Sequence, residues 1–257
     1  MWPGPEAESF ILAVGYHGAA YSGSQIQPDM PTVQGEIKAI IEELMVDEWQ
    51  VEDYAPSYNI APTQNSLVLV QEKGSKIVRS MKWGLIPAWS KNELYGSKMI
   101  NARIETVTTK PSFKNLIPKY RCIVLSDGYY EWKQSGGRKV PFFIQKKDGG
   151  LMLFAGLWTT WSMSSKRIFT YTILTTNAQK GISAIHDRMP VLFDKSKAEM
   201  WINLDNQFSE VEQELTDNKE VLNYYQVSDF VNKPSNNSVA CISPFKALTD
   251  LNLFDDN

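Results

Sequence analysis

The sequence predicts an α+β fold built on a curled, largely antiparallel sheet with short helices, and three observations carry that expectation. Apolar runs of strand length recur from Pro56 onward. Gly136-Gly137 and Asp148-Gly149-Gly150 fall between neighbouring runs as hairpin turns, and helical periodicity is confined to brief stretches. Alternating βαβ units fit less well, because the helical pieces are few and short.

The elements follow in order along the chain. Residues 9–16 read as a buried strand and 17–31 as a loop punctuated by Gly, Ser and Pro. Thr32 can cap a helix over about 33–45, with Val33, Ile37, Ile40, Ile41 and Leu44 on one face. This strand, loop and helix form an N-terminal appendage. Strands are expected over 66–71, 76–83, 121–126, 140–146, 151–159 and 168–175, and helices over 101–108, 177–183 and 195–202. A compositional seam near residues 45–54 separates an appendage (1–45) from a main domain (46–245), and an acidic tail (246–257) closes the chain.

Composition narrows the function. With 257 residues and 43% apolar content the chain can bury a sizeable core. A net charge of −3 and a pI near 5.6 argue against coating nucleic acid through bulk charge. Residues 82–121 nevertheless collect Lys82, Lys91, Lys98, Arg103, Lys110, Lys114, Lys119 and Arg121. That stretch reads as a local basic groove or as a solvated face. No apolar run approaches the ~18–20 residues of a membrane span and no secretory signal opens the chain, so no membrane partner and a cytoplasmic location are expected. Cys122 and Cys241, both in apolar settings, read as buried free thiols. The two histidines, His17 and His186, lie far apart in different textures, so neither a metal nor a cofactor is expected.

Three strings hold ionisable or amide groups inside apolar or aromatic frames: Ile100-Asn101-Ala102-Arg103-Ile104-Glu105, Asp127-Gly128-Tyr129-Tyr130-Glu131-Trp132-Lys133 and Ile185-His186-Asp187-Arg188-Met189-Pro190. Rings flanking Glu131 lower the local dielectric, which raises its pKa and suits it to general acid–base work. The alternative is a Glu on the outer face of a strand, with Tyr130 and Trp132 turned the other way. His186 can titrate near physiological pH, with Asp187 or Arg188 available to orient neighbours. Asn101 and Arg103 can offer an amide and a guanidinium to one ligand, phosphate being the commonest partner of Arg, or Arg103 can pair with Glu105. Of the aromatic residues between Trp83 and Trp89, Trp83 reads as core and Trp89 as exposed, where a ring can stack on an unpaired base.

Taken in order, these strings resemble the SOS-response-associated peptidase family, the abasic-site processing proteins. The likeness rests on Tyr58-Asn59-Ile60-Ala61-Pro62-Thr63, Trp83-Gly84-Leu85-Ile86-Pro87-Ala88-Trp89, Ile100 to Thr106, Cys122-Ile123-Val124, and Asp127 to Trp132. It continues through Pro141-Phe142-Phe143-Ile144, Ala155-Gly156-Leu157-Trp158, Thr175-Thr176-Asn177-Ala178 and His186-Asp187-Arg188-Met189-Pro190, and spans about residues 52–245. The resemblance implies a curled pseudo-barrel and a monomer that binds abasic sites in single-stranded DNA, joining the nucleoid when DNA is damaged. In that family an N-terminal Cys, exposed by removal of the initiator Met, forms a Schiff base with the sugar aldehyde and then closes a thiazolidine. The resemblance assigns Asn101 to holding the adduct, Glu131 to proton transfer and His186 to opening the sugar ring and reversal. It assigns Arg103 to the phosphate and Pro62, Trp89, Asn59 and Trp132 to contacts with DNA.

The opening departs from that pattern. The family begins Met-Cys-Gly-Arg, whereas this sequence begins Met1-Trp2-Pro3-Gly4 and has no Cys before Cys122. Residues 9–44 instead resemble the first strand, loop and helix of the tRNA pseudouridine synthases, in Val14-Gly15-Tyr16-His17-Gly18 through Gln27-Pro28 and in Pro31-Thr32-Val33-Gln34-Gly35-Glu36. The catalytic Gly-Arg-Thr-Asp-Ala-Gly string of that family is absent, so pseudouridine synthesis is not implied. The appendage reads as a foreign segment. Three functions stay open: a covalent abasic-site processor, a non-covalent binding module for abasic or single-stranded DNA, and an accessory to RNA modification. Peptidase activity is implied only on the initiator Met.

Overall fold

The computed structural model describes residues 11–14, 42, 44–52, 55–216 and 220–245. The strands are β1 (Ile11–Val14), β2 (Glu48–Gln50), β3 (Ser57–Ile60), β4 (Asn65–Glu72), β5 (Ser75–Trp83), β6 (Asn101–Arg103) and β7 (Arg121–Ser126). They continue with β8 (Gly128–Ser135), β9 (Arg138–Lys146), β10 (Met152–Met163), β11 (Lys166–Asn177), β12 (Arg188–Pro190), β13 (Leu192–Phe193) and β14 (Leu222–Gln226).

The expected curl is a closed barrel. β5 pairs β4, β4 pairs β7, β7 pairs β10 and β10 pairs β11, all antiparallel, and β11 returns to β5 in parallel through Thr170↔Lys82 and Tyr171↔Trp83. Closure removes the exposed edges an open sheet of this size would carry. Alternation then divides the side chains. Val68, Val70, Cys122, Val124, Phe154, Trp158, Tyr171 and Ile173 fill one cluster inside the barrel. Leu67, Leu69, Ile123, Leu125, Leu153, Ala155 and Leu157 belong to the cluster outside, where the helix Lys195–Ile202 covers them with Ala198, Trp201 and Ile202. Asp194 caps that helix by accepting from the Lys197 N–H. Trp201, 1% exposed, donates its indole N–H to the Cys122 carbonyl at 3.0 Å. Leu44, at the end of the expected first helix, is buried in the same outer cluster.

A second sheet, in the order β14-β9-β8-β1-β3, leans on the barrel and shares strand continuity with it, since β7 passes through Asp127 straight into β8. β1 lies between β3 and β8, with Leu12↔Ile60 on one side and Ile11↔Tyr130 on the other. Gly128 is required in β8: a Cβ there would stand 2.4 Å from the Phe143 ring and 2.6 Å from the Ile144 carbonyl oxygen.

Several sequence expectations change. The helix expected over 101–108 is β6 followed by a single turn, Ile104–Val107, because Asn101–Arg103 is captured as a parallel partner of β11. The helix expected over 177–183 shrinks to the 3-10 turn Ile182–Ala184, since β11 runs on to Asn177. The loop over 17–31, most of the helix over 33–45 and the tail 246–257 lie outside the described residues. No helix among the described residues is long and apolar enough to cross a membrane.

Candidate functional site

Strand pairing brings the three strings to one end of the barrel. The C-terminal third of β11 is bracketed by β6 through Ile173↔Asn101 and Thr175↔Arg103, and by β12 through Thr175↔Pro190 and Asn177↔Arg188. β8 leaves the barrel at the same end, beyond Ser126. Ile100, Tyr129 and Ile185, each a chain neighbour of a candidate group or two residues from one, belong to the barrel cluster together with Met189, three residues after His186. Trp83 joins them and donates its indole N–H to the Ile100 carbonyl at 3.0 Å. One apolar bed therefore carries Asn101, Glu131 and His186.

Glu131 is 5% exposed, which rules out the solvent-facing alternative. Alternation holds, with Tyr129 on the face of Glu131 and Tyr130 and Trp132 on the other, but both faces of β8 are covered. Burial pushes the Glu131 carboxyl up to about 8. The Trp132 N–H donated to Oε1 at 3.1 Å and the charge of Lys139 oppose that rise, while the nearby Asp187 carboxylate adds to it. At neutral pH Glu131 holds a proton, so it enters the chemistry as an acid.

His186 is oriented by its own chain. Its Nδ1 accepts the Arg188 N–H at 3.1 Å, which puts the proton of the neutral ring on Nε2. Asp187 Oδ1 stands 3.2 Å from the same Nδ1. Arg188 is buried, with both terminal nitrogens engaged: it makes a two-pronged pair with Glu105 at 2.7 and 3.0 Å, and donates to Asn177 Oδ1 at 2.9 Å and the Thr175 carbonyl at 2.7 Å. This ties the His186 turn to the segment after Asn101. The pair holds the Glu105 carboxyl below the usual carboxylate range. Glu105 thus serves Arg188, a pairing that sequence proximity to Arg103 obscured. Arg103 itself is exposed.

The candidate DNA contacts divide. Trp89 is 62% exposed and meets the Tyr95 ring edge-on at 5.5 Å, with Leu94 75% exposed beside it in sequence. Its loop is anchored beneath by the Trp161 indole N–H, which donates to the Ser90 carbonyl at 2.8 Å. Pro62 occupies the β3–β4 turn, held against Trp83 by Thr63 N–H to Trp83 O at 2.8 Å and Trp83 N–H to Gln64 O at 2.9 Å. Thr63 pays for that turn with a φ of +76°. The Pro62 turn and the Trp89 string are therefore joined at Trp83. Asn59 is 1% exposed, and its amide donates to the carbonyls of Val231, Lys233 and Asn236 at 3.0 to 3.1 Å, which holds the 231–236 loop. Trp132 is half-buried and donates to Asn232 Oδ1 at 2.8 Å, so it braces the same loop. Both cysteines are buried free thiols, and burial pushes the Cys122 thiol well up.

Residues 31–234 match the family described as SOS response associated peptidase (SRAP). The chain is 39% identical over 212 residues to "Abasic site processing protein YoqW" of Bacillus subtilis, covering 80% of this chain and 95% of that protein. It is 32% identical over 233 residues to "Abasic site processing protein HMCES" of Gallus gallus, covering 77% and 69%. A solved structure of a protein from Bacteroides thetaiotaomicron superposes with a TM-score of 0.64 at 29% identity, covering 72% of this chain and 84% of that one.

Proposed function

The chain belongs to the SOS response associated peptidase family, and on that premise we propose that it recognises and shields abasic sites in single-stranded DNA. The observation that carries the reading is a buried Glu131, protonated at neutral pH, on the same apolar bed as Asn101 and His186. An amine adds to the ring-opened sugar aldehyde to give a carbinolamine, and Glu131 gives its proton to the departing hydroxyl. Water leaves and a C=N bond remains. His186 Nε2 faces the sugar hydroxyls and assists ring opening, while the Asn101 amide holds the adduct. Arg103 meets the phosphate beside the lesion, and Trp89 and Pro62 lie against the flanking bases.

A second reading has its own support. A thiazolidine needs an amine and a thiol on one residue, and the two cysteines of this sequence are internal and buried. Neither buried thiol can close that ring, which favours a reversible imine or, without a reactive amine at the site, non-covalent binding. A denaturing gel with single-stranded DNA carrying one abasic site, with and without borohydride, separates these. A band only with borohydride supports the imine. No band, together with preferential retention of abasic over intact DNA on a native gel, supports the binding module. No preference on either gel defeats both. Arg103→Ala should weaken that retention by about 1–3 kcal/mol if the guanidinium makes a charge-assisted phosphate contact, measured by titration at fixed salt. Unchanged affinity removes Arg103 from the DNA contact.

A further inference from the structure

Asn101 and His186 are carried by short arms. β6 and β12 have three residues each and flank β11 on opposite sides, so few ladder hydrogen bonds fix either arm. One side chain spans the gap between them. From β12, Arg188 reaches across the end of β11, donating to the Thr175 carbonyl at 2.7 Å and to Asn177 Oδ1 at 2.9 Å, and its fork closes on Glu105 in the turn Ile104–Val107 that follows β6. The pair clasps the two arms together over β11.

Arg188 also acts through its main chain. The N–H that meets His186 Nδ1 belongs to the residue whose guanidinium Glu105 holds, so the aim of that N–H and the place of Glu105 are linked through one residue. Among the described residues no hydrogen bond reaches His186 Nε2, and the ring's direction rests on Nδ1. The turn around it is lightly tied: Ala178 N–H meets the Asp187 carbonyl at 2.8 Å and His186 N–H the Ile182 carbonyl at 3.2 Å. An ion pair at a buried cation adds little net stability, because desolvation offsets the attraction. Direction is what the fork supplies. A planar guanidinium meets two carboxylate oxygens, an amide oxygen and a carbonyl together in one orientation, which a lysine ammonium does not reproduce.

We propose that Glu105 is a positioning residue for the abasic-site chemistry: through Arg188 it holds the His186 ring in the Nε2–H tautomer, turned towards the sugar. The consequence for rate rests on the abasic-site reading, whereas the hold on the ring is a property of the protein alone. Glu105 needs no contact of its own with DNA.

Two measurements test this, the first without DNA. In a long-range nitrogen–proton correlation spectrum of the full chain at alkaline pH, with His186 assigned by His186→Ala, the parent ring should show the Nε2–H pattern alone. Glu105→Ala and Arg188→Lys should each turn it into a mixture of the two neutral tautomers. Glu105→Gln keeps an oxygen for one prong and should restore the parent pattern. The second measurement is a double-mutant cycle on borohydride-trapped imine formation. Glu105→Ala should slow trapping about ten-fold in the parent and less than about two-fold in a His186→Ala chain, which has no ring to position. A change that only loosens the fold would slow both chains equally. Arg188→Lys should follow Glu105→Ala in both measurements, so the matter is decided even if Glu105→Ala fails to fold. A ring spectrum unchanged in the folded variants, or equal losses in the two backgrounds, overturns the proposal. If the parent traps no imine, the covalent abasic-site reading fails and the ring spectrum alone decides the role of Glu105.

Discussion

Replacing Glu131 with Gln should slow borohydride-trapped imine formation on abasic single-stranded DNA by about 10²–10⁴-fold, the range for a lost general acid. The same substitution should make the folded chain more stable at pH 8. Both effects come from one fact: a carboxyl whose ordinary value is 4.5 is pushed up to about 8 by burial. Below about pH 4.5 the group is neutral folded or unfolded, and it makes no difference to stability. Between there and about pH 8 the unfolded chain ionises Glu131 while the folded chain resists, so stability falls across that window and then levels off. Gln carries no such penalty, keeps an oxygen for the Trp132 N–H, and should be favoured by roughly 2–4 kcal/mol at pH 8 and by nothing at pH 4. Denaturant titrations at the two pH values read this directly. In the parent chain the trapping rate should fall above about pH 8, as Glu131 gives up its proton, and the Gln variant should show no such fall. A Gln variant that traps at the parent rate would remove Glu131 from proton transfer, whatever its effect on stability.

The barrel was legible because its strands are apolar runs whose alternate residues face two buried clusters, and β4, β5, β7, β10 and β11 overlap the runs read from sequence. Its closure was not, since the parallel contact of Tyr171 with Trp83 joins residues nearly ninety apart and leaves no local trace. Glu131 shows the limit of alternation as a guide. The pattern separates Tyr129 and Glu131 from Tyr130 and Trp132 correctly, yet it cannot tell that β8 lies between two packed layers and has no solvent face. Short-range spacing misled at Arg103 and Glu105, which are near in sequence, while Glu105 reaches Arg188 across β11. Asn59 sits in a string full of candidate contacts, but its three carbonyl partners come from residues 231–236, beyond any local window.

A chain restarted with an initiator Met, Phe10→Cys and then Ile11 onward should form a covalent band with abasic single-stranded DNA that survives without borohydride. The register of β1 is the reason. β1 runs antiparallel to β8 with Leu12 opposite Tyr129 and Ile11 opposite Tyr130, so each step towards the N-terminus moves one residue further along β8. Ile11 stands opposite Tyr130, the residue before Glu131. Once the initiator Met is removed, the new terminal cysteine carries an α-amine and a thiol on one residue, directly before Ile11 in the chain. The amine condenses with the aldehyde and water leaves. The thiol then adds across the C=N bond, its sulfur to carbon and its proton to nitrogen, and the thiazolidine closes. Phe10→Ser in the same restarted chain keeps the amine and lacks the thiol, so its band should depend on borohydride. Adding Glu131→Gln to the cysteine variant should slow its band by the factor found for imine trapping, because both pass through the same loss of water. A folded cysteine variant with no band at all would mean that the Glu131 end of β8 does not receive the aldehyde, and the assignment of Glu131 to this chemistry would fall with it.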